Sequence, residues 1–191
     1  QAKQIRGSFL LAGPLLARKN SIDLPAPGGD RIGLRPVHTH LLALEKLGAK
    51  ISLDKKGLYK MRTAGLKGTD IYLDEASVMA TENAVMAAVT AQGKSSIYNA
   101  ACEPHVQGLC HFLVKLGAKI EGIGSNLLII EGVKSLAGAD YTIQPDHTEV
   151  GSFIGLAAVT RSELRIKNAG VKYLNMTRLM FEKLGIEIQV E

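Results

Sequence analysis

A repeat of nearly 70 residues is the feature that most constrains how this 191-residue chain can fold. Three segments have almost the same sequence, LEKLGAKI at 44–51, LVKLGAKI at 113–120 and FEKLGIEI at 181–188. Their glycines, Gly48, Gly117 and Gly185, are 69 and 68 residues apart. Each segment predicts the end of an amphipathic helix, a glycine just beyond it, and then a strand.

A second pattern recurs at a matching distance. Residues 69–101 and 139–170 both predict an alternating strand, a polar turn, a helix of small residues and another strand. Hairpins are predicted after the first two KLG helices, with turns at residues 54–57 and 124–126. The unit is therefore strand, helix, strand, helix, hairpin. One whole copy lies between two incomplete copies, and the first copy begins only at its helix.

This unit predicts an α/β fold. Quasi-equivalent sheets and helix pairs could pack about a shared helical core, and the period is too long for the common solenoids. Two independent patterns with the same spacing argue against a chance likeness between ordinary helix ends.

Composition narrows the function classes. The net charge is +5, but the basic residues are scattered and no basic stripe with interleaved aromatic residues occurs. We therefore expect small anionic ligands and no nucleic acid. Two cysteines favour a reducing compartment, and the longest apolar run, residues 9–17, is too short for a membrane span. We expect a soluble cytoplasmic protein. Because the sequence begins without Met, we also expect it to be part of a longer chain.

The stretch PAPGGDRIGLRP at 25–36 is a loop by composition, yet it carries Asp30, Arg31 and Arg35. A mobile lid with charged side chains is a common catalytic device. Asp30 could then act as a general acid, and Arg35 could bind a phosphate or carboxylate. From the residues alone, a solvated connecting loop explains the stretch equally well.

Other polar positions each have a simpler structural explanation. Arg6 begins a helix and could attract an anion, but an exposed helix arginine is the simpler interpretation. Ser77 and Asp146 occupy equivalent strand-to-helix turns, where capping is favoured over phosphate binding. His38 and His40 precede a helix and could line a site.

A metal site is weakly indicated by the segment CEPHVQGLCH at 102–111. It contains Cys102, His105, Cys110 and His111, but their spacing matches no common zinc pattern. Cys110 also falls on the apolar face of the predicted helix, so packing roles are favoured and no metal is predicted.

Several motifs of the sequence together resemble those of a known enzyme family. KQIRGSFLLAGPLLAR, PAPGGDRIGLRPVHTHLLALEKLGAKI, SVMATENAVMAAVTAQG, NAACEP, IIEGV and PDHTEVG resemble the UDP-sugar branch of the enolpyruvyl transferase family, over essentially all 191 residues. The resemblance implies an inside-out α/β barrel of two domains built from six βαβαββ units. About two to three units would be present here. Residues 1–142 would form most of the catalytic-loop domain, and residues 143–191 part of the second domain.

The resemblance also implies a reaction. The enolpyruvyl group of phosphoenolpyruvate is transferred to the 3′-hydroxyl of UDP-N-acetylglucosamine in peptidoglycan precursor synthesis, without cofactor or metal. Two alternatives stay open, namely the shikimate branch of the family and a non-catalytic sugar-nucleotide-binding module. A fragment of such an enzyme is expected to be inactive alone and could self-associate through exposed apolar surface.

Residue roles follow from the same resemblance. Asp30 matches the proton donor, which is Cys in most members and Asp in a minority. Arg35 matches the arginine that contacts the phosphate of phosphoenolpyruvate. The remaining matches concern the sugar nucleotide: Pro36, Val37, His38 and Thr39 at the uridine nucleotide, Ser77 and Val78 at its phosphates, Arg6 at the sugar nucleotide, and Asp146 at the edge between domains. His38, Glu75 and His147 depart from the Asp, Lys and Arg that are usual at those positions.

Overall fold

The computed structural model describes residues 2–30 and 32–190. The chain divides into two compact units, Gln1–Tyr141 and Thr142–Glu191. Which domains of a longer protein these units correspond to stays a prediction. No helix within the described part of the chain is long and apolar enough to cross a membrane.

The first copy of the repeat forms a three-stranded sheet and two helices. Its elements are two 3-10 turns (Ala2–Gln4 and Arg6–Leu11), α1 (Ala12–Lys19), β1 (Ser21–Pro25), α2 (His38–Lys46), β2 (Lys50–Leu53) and β3 (Leu58–Arg62). The strand order is β1-β3-β2, and both pairings are antiparallel. The β2–β3 hairpin closes with a hydrogen bond from the amide of Gly57 to the carbonyl of Asp54, as predicted.

The second copy is complete. Its elements are β4 (Asp70–Tyr72), α3 (Val78–Ala88), β5 (Lys94–Tyr98), α4 (Pro104–Lys115), β6 (Lys119–Glu121) and β7 (Leu127–Glu131). The strand order is β4-β5-β7-β6; β4 and β5 are parallel, whereas β7 is antiparallel to both of its neighbours. In both sheets the second strand of the hairpin, β3 or β7, is therefore central and pairs on both sides.

Helix α3 lies at the centre of the first unit and packs against α1, α2 and α4. Its sequence, VMATENAVMAA, is rich in small residues, which allow neighbouring helices to approach closely. A Cβ added to Gly13 of α1 would lie 2.4 Å from the carbonyl oxygen of Asn83 on α3. The predicted shared helical core is present in this unit.

Each KLG helix ends as the sequence predicts. Gly48, Gly117 and Gly185 follow α2, α4 and the last helix of the chain, with φ of +98°, +103° and +76°. These are left-handed conformations that residues with a side chain rarely adopt, which explains the recurring glycine.

Within residues 142–190 the second unit contains helices and no strand. It comprises α5 (His147–Thr160), a 3-10 turn (Val171–Tyr173) and α6 (Asn175–Lys183). The sequence predicted strands on either side of α5 and after Gly185. These predictions are wrong within residues 139–190. In the second copy β5 and β6 both pair with β7, and β4 pairs with β5. Within residues 139–190 no strand in the position of β7 is present to begin such a sheet. Without its hydrogen-bonding partner a strand does not form.

Candidate functional site

The loop between β1 and α2 projects from the first unit. Asp30 is exposed within it, and the neighbouring apolar side chains of Ile32 and Leu34 are 76% and 101% exposed. Gly29 and Gly33 have φ of +98° and +123°. Arg31 lies outside the described residues. The predicted loop is therefore present, and its acid faces solvent in this conformation.

The loop ends beside Arg6. The guanidinium of Arg6 donates to the backbone carbonyls of Arg35 at 2.8 Å and Pro36 at 3.1 Å. Burial lowers the pKa of Arg6, the nearby charge of Arg35 lowers it further, and Glu75 acts in the opposite direction. Arg6 is thus an ordered part of the loop base. Arg6 begins a 3-10 helix, as the sequence predicts, and its side chain is half-buried.

The next residues are tied to the turn before α3. Nε2 of His38 lies 2.8 Å from one carboxylate oxygen of Asp74, and the hydroxyl of Thr39 donates to the other at 2.8 Å. The Thr39 hydrogen bond is the main reason that the pKa of Asp74 is lowered, and His38 contributes to this. Asp74 was missed by the sequence analysis. Its one signal was its place in the same polar turn as Ser77.

Two further predicted residues in this segment differ in exposure. The side chain of Val37 is 7% exposed and belongs to the hydrophobic core, whereas Pro36 is exposed. The sequence analysis allowed His40 to line a site, and the structure buries it. It is 3% exposed and lies against Asn83 in the core.

Ser77 and Val78 open α3. Ser77 is the N-cap, and its hydroxyl accepts a 3.4 Å hydrogen bond from the amide of Ala80. The capping role favoured by the sequence is confirmed. Because the first amides of a helix have no partner within it, the turn also directs N–H groups and the positive end of the helix dipole outward.

Asp146 belongs to the second unit, where it is the N-cap of α5. One of its carboxylate oxygens accepts from the amides of Thr148 at 2.8 Å and Glu149 at 3.2 Å. These bonds hold the pKa of Asp146 below its ordinary value. Its capping role is confirmed as well.

The cysteine and histidine segment does not converge on a metal centre. Cys110 is buried in the core, where burial raises the pKa of its thiol to about 11, while Cys102 is exposed. Across residues 2–30 and 32–190, no group of three or more His, Cys, Asp or Glu side chains lies close enough to hold a metal ion.

One complete βαβαββ unit and a copy that lacks its first strand pack about α3, and the glycine loop with Asp30 lies between β1 and α2 of the incomplete copy. The sequence model of the EPSP synthase (3-phosphoshikimate 1-carboxyvinyltransferase) family matches residues 1–191, so the chain belongs to that family.

Curated relatives narrow the comparison. The chain is 59% identical over 188 residues to a UDP-N-acetylglucosamine 1-carboxyvinyltransferase of Bradyrhizobium diazoefficiens, covering 98% of this chain and 43% of the relative. It is 54% identical over 190 residues to the protein of the same name from Treponema denticola, covering 100% of this chain and 44% of that one. The chain therefore spans less than half the length of these relatives.

Solved structures agree on the fold. The enolpyruvyl transferase NikO from Streptomyces tendae matches with a TM-score of 0.81 and 24% identity, over 98% of this chain and 45% of NikO. An EPSP synthase from Acinetobacter baumannii matches with a TM-score of 0.58 and 24% identity, over 78% of this chain and 33% of that one. The predicted fold class is confirmed.

Proposed function

We propose that this chain is part of an enzyme that transfers the enolpyruvyl group of phosphoenolpyruvate to the 3′-hydroxyl of UDP-N-acetylglucosamine, a step of peptidoglycan precursor synthesis. The observation that carries the proposal is the glycine loop with Asp30, whose end is bonded to Arg6 and Asp74 next to the N-terminus of α3. The names of the 59% and 54% identical relatives support it.

In the proposed reaction Asp30 is the general acid. It gives a proton to the methylene carbon of phosphoenolpyruvate while the sugar hydroxyl adds to the adjacent carbon. Loss of phosphate from the adduct, together with a proton from the methyl group, restores the double bond on the product. A loop that carries the acid on flexible glycines can bring it to the substrate and exclude water when it closes.

Arg35 is proposed to bind the phosphate of phosphoenolpyruvate, since its guanidinium is suited to bidentate contacts with phosphate oxygens. The sugar nucleotide would lie along Pro36–Thr39 and the Ser77–Val78 turn, where the helix N-terminus favours a diphosphate. Arg6 would act on the sugar nucleotide through the loop end to which it is bonded. Asp146, a residue of the second unit, is also proposed to take part in substrate binding. His38 and Glu75 then alter the usual contacts, since His38 is paired with Asp74 and Glu75 brings a negative charge close to the diphosphate.

The proposal also assigns the two parts of the chain to domains of the enzyme. Residues 1–142 would be most of the catalytic-loop domain of a cytoplasmic enzyme, and 143–191 a segment of its second domain. The 191 residues alone are expected to bind both substrates weakly and not to turn them over, because the chain spans less than half of the relatives' length.

The shikimate branch is the second candidate, because the family description names 3-phosphoshikimate. It is disfavoured because the similarity to the EPSP synthase structure is 24% over 78% of the chain. A non-catalytic sugar-nucleotide module is the third candidate, and it differs from the first in having no use for Asp30.

The test is a chimera in which residues 1–191 replace the matched segment of the Bradyrhizobium diazoefficiens relative. We expect phosphate release with UDP-N-acetylglucosamine and none with shikimate 3-phosphate. Asp30→Ala should abolish turnover, whereas Asp30→Cys should keep activity and gain sensitivity to the thiol alkylator fosfomycin. A folded chimera that binds UDP-N-acetylglucosamine but does not turn over would favour the non-catalytic module. Full turnover by the Asp30→Ala variant would show that Asp30 is not the general acid.

A further inference from the structure

We propose that Arg6 is a positioning residue that closes the neck of the loop carrying Asp30, so that the loop moves as one unit on a fixed base. Its consequence for catalysis rests on the proposed function, whereas the neck itself is a property of this chain.

One end of the loop is held by the two terminal nitrogens of Arg6. Nη1 donates to the carbonyl of Arg35 and Nη2 to that of Pro36, at 2.8 and 3.1 Å. The planar guanidinium matches two consecutive carbonyls in a way that a lysine ammonium does not, because its donors diverge from one rigid fork. Both terminal nitrogens donate to the backbone, so in this conformation the guanidinium holds the end of the loop.

The other end is pressed against the same N-terminal segment. A Cβ added to Gly28 would lie 2.0 Å from the carbonyl oxygen of Lys3, and one added to Gly29 would lie 3.2 Å from Cβ of Arg6. Contact with backbone cannot be relieved by a side-chain movement, so Gly28 has to be glycine for the chain to pass this close. Residues 3–6 therefore touch both ends of the loop.

The described residues of the tip, Ile32 to Leu34, show no such contacts. A Cβ on Gly33 would meet no atom within 4 Å, and Ile32 and Leu34 are exposed. A compact neck below an exposed tip is the arrangement of an Ω-loop. The length of loop that can swing is then set by the neck, and so is the reach of Asp30.

The test on the 191-residue chain is backbone 15N relaxation of Arg6→Lys and Arg6→Gln, with the exposed Arg18→Lys as the matched control. In the unmodified chain we expect order parameters of about 0.85 at Gly29 and at Arg35, and in both Arg6 variants the value at Arg35 should fall below about 0.6. Gly29 should change less, because it lies against the backbone and Cβ of residue 6, which both variants keep. Arg18→Lys should leave all of these values unchanged, and Gly33 should be mobile in every form. Equal order parameters at Arg35 with and without the Arg6 guanidinium would overturn the proposal.

A second measurement needs no variant. The Nη groups of Arg6 should give separate, slowly exchanging NMR signals because each is bonded to a carbonyl, while those of Arg18 should be averaged by rotation. A single averaged NMR signal for the Nη groups of Arg6 in the folded chain would also contradict the proposed neck.

Kinetics on the chimera described above separate positioning from ligand binding. Arg6→Lys is expected to lower kcat by about tenfold to a hundredfold, as for other misplaced catalytic groups, with the KM for UDP-N-acetylglucosamine little changed. A raised KM with an unchanged kcat would overturn positioning in favour of a ligand contact. If the unmodified chimera is inactive while the relaxation result holds, the proposed function fails and the neck stands.

Discussion

At the scale of single residues, the buried amide of Asn83 connects three helical segments. Its side-chain oxygen accepts from the amide of Gly13 at 2.8 Å, and its nitrogen donates to the carbonyl of Phe9 at 2.9 Å. The same nitrogen lies 2.8 Å from Nδ1 of His40. Because an amide nitrogen can only donate, Nδ1 must accept, and this places the ring proton of neutral His40 on Nε2. The network depends on His40 staying neutral.

This dependence predicts how stability varies with pH. Burial, with smaller contributions from Arg6 and His38, lowers the pKa of His40 to about 4, against about 6.5 for an unfolded histidine. Between these values the unfolded chain binds a proton that the folded chain does not, so stability falls as the pH drops from 6.5 to 4. The loss should reach about 3 kcal/mol and stop growing below pH 4.

Urea unfolding between pH 7.5 and 4, compared with His40→Gln, isolates this contribution because the other titrating groups remain in both proteins. The variant should be less stable at pH 7.5 and should vary less with pH. An identical pH slope in the two proteins would contradict the prediction.

At the scale of elements, two glycines let the turn between α3 and β5 lie against the end of β7 and the start of β4. A Cβ on Gly132, just after β7, would lie 1.6 Å from the carbonyl oxygen of Ala91, and one on Gly68, just before β4, would lie 2.3 Å from that of Lys94. Both glycines also donate to this turn, with the amide of Gly132 bonded to the carbonyl of Gly93 and that of Gly68 to Gln92. The end of β7 and the start of β4 are therefore joined to the turn after α3 by backbone hydrogen bonds.

Gly132→Ala is predicted to destabilise the chain by about 2 kcal/mol or more, because an added methyl group must displace backbone. Gly138→Ala is the matched control, since a Cβ there meets no atom within 4 Å. It should change stability by less than about 0.5 kcal/mol. The free energy of unfolding in urea measures both, and equal effects would show that the close approach at Gly132 is unimportant.

At the scale of the whole molecule, the two units differ in their cores. Most buried hydrophobic residues of the first unit form one cluster that includes Leu44, Ile97 and Ile130. Within residues 142–190 Val150 and Leu174 are the two buried side chains, and large apolar residues such as Ile143, Val159 and Leu184 are 86%, 80% and 72% exposed. The second unit thus has little apolar burial with which to offset the entropy of folding.

We therefore predict rapid amide hydrogen exchange throughout α5 and α6, and slow exchange in α3. The reason is that helices without a packed apolar face open at low cost in free energy. A concentration series serves as the control, because the predicted self-association through the exposed apolar surface would slow exchange in α5 and α6 as concentration rises. Protection of α5 equal to that of α3 in dilute solution would contradict the prediction.

Local signals in the sequence were enough to predict much of this structure. A helix end with its left-handed glycine, a hairpin turn and an N-cap such as Ser77 or Asp146 are each determined by a few adjacent residues. The same locality gave the extent of the loop and the place of Asp30 in it. The failed strands of the second unit had the right pattern, but a strand also needs a partner that the pattern does not include.

Only the tertiary structure decided which residues share the candidate site. Arg6 bonds a carbonyl 29 residues away, and Thr39 bonds Asp74 across 35 residues. Nothing in the spacing of these residues shows that they meet, because the meeting depends on how α1, α2 and α3 pack. The sequence by itself determined the repeated unit and the acid-bearing loop, since both are built from neighbouring residues. The neck at Arg6 and the role of Asp74 arose from packing, which joins segments that are distant in the chain.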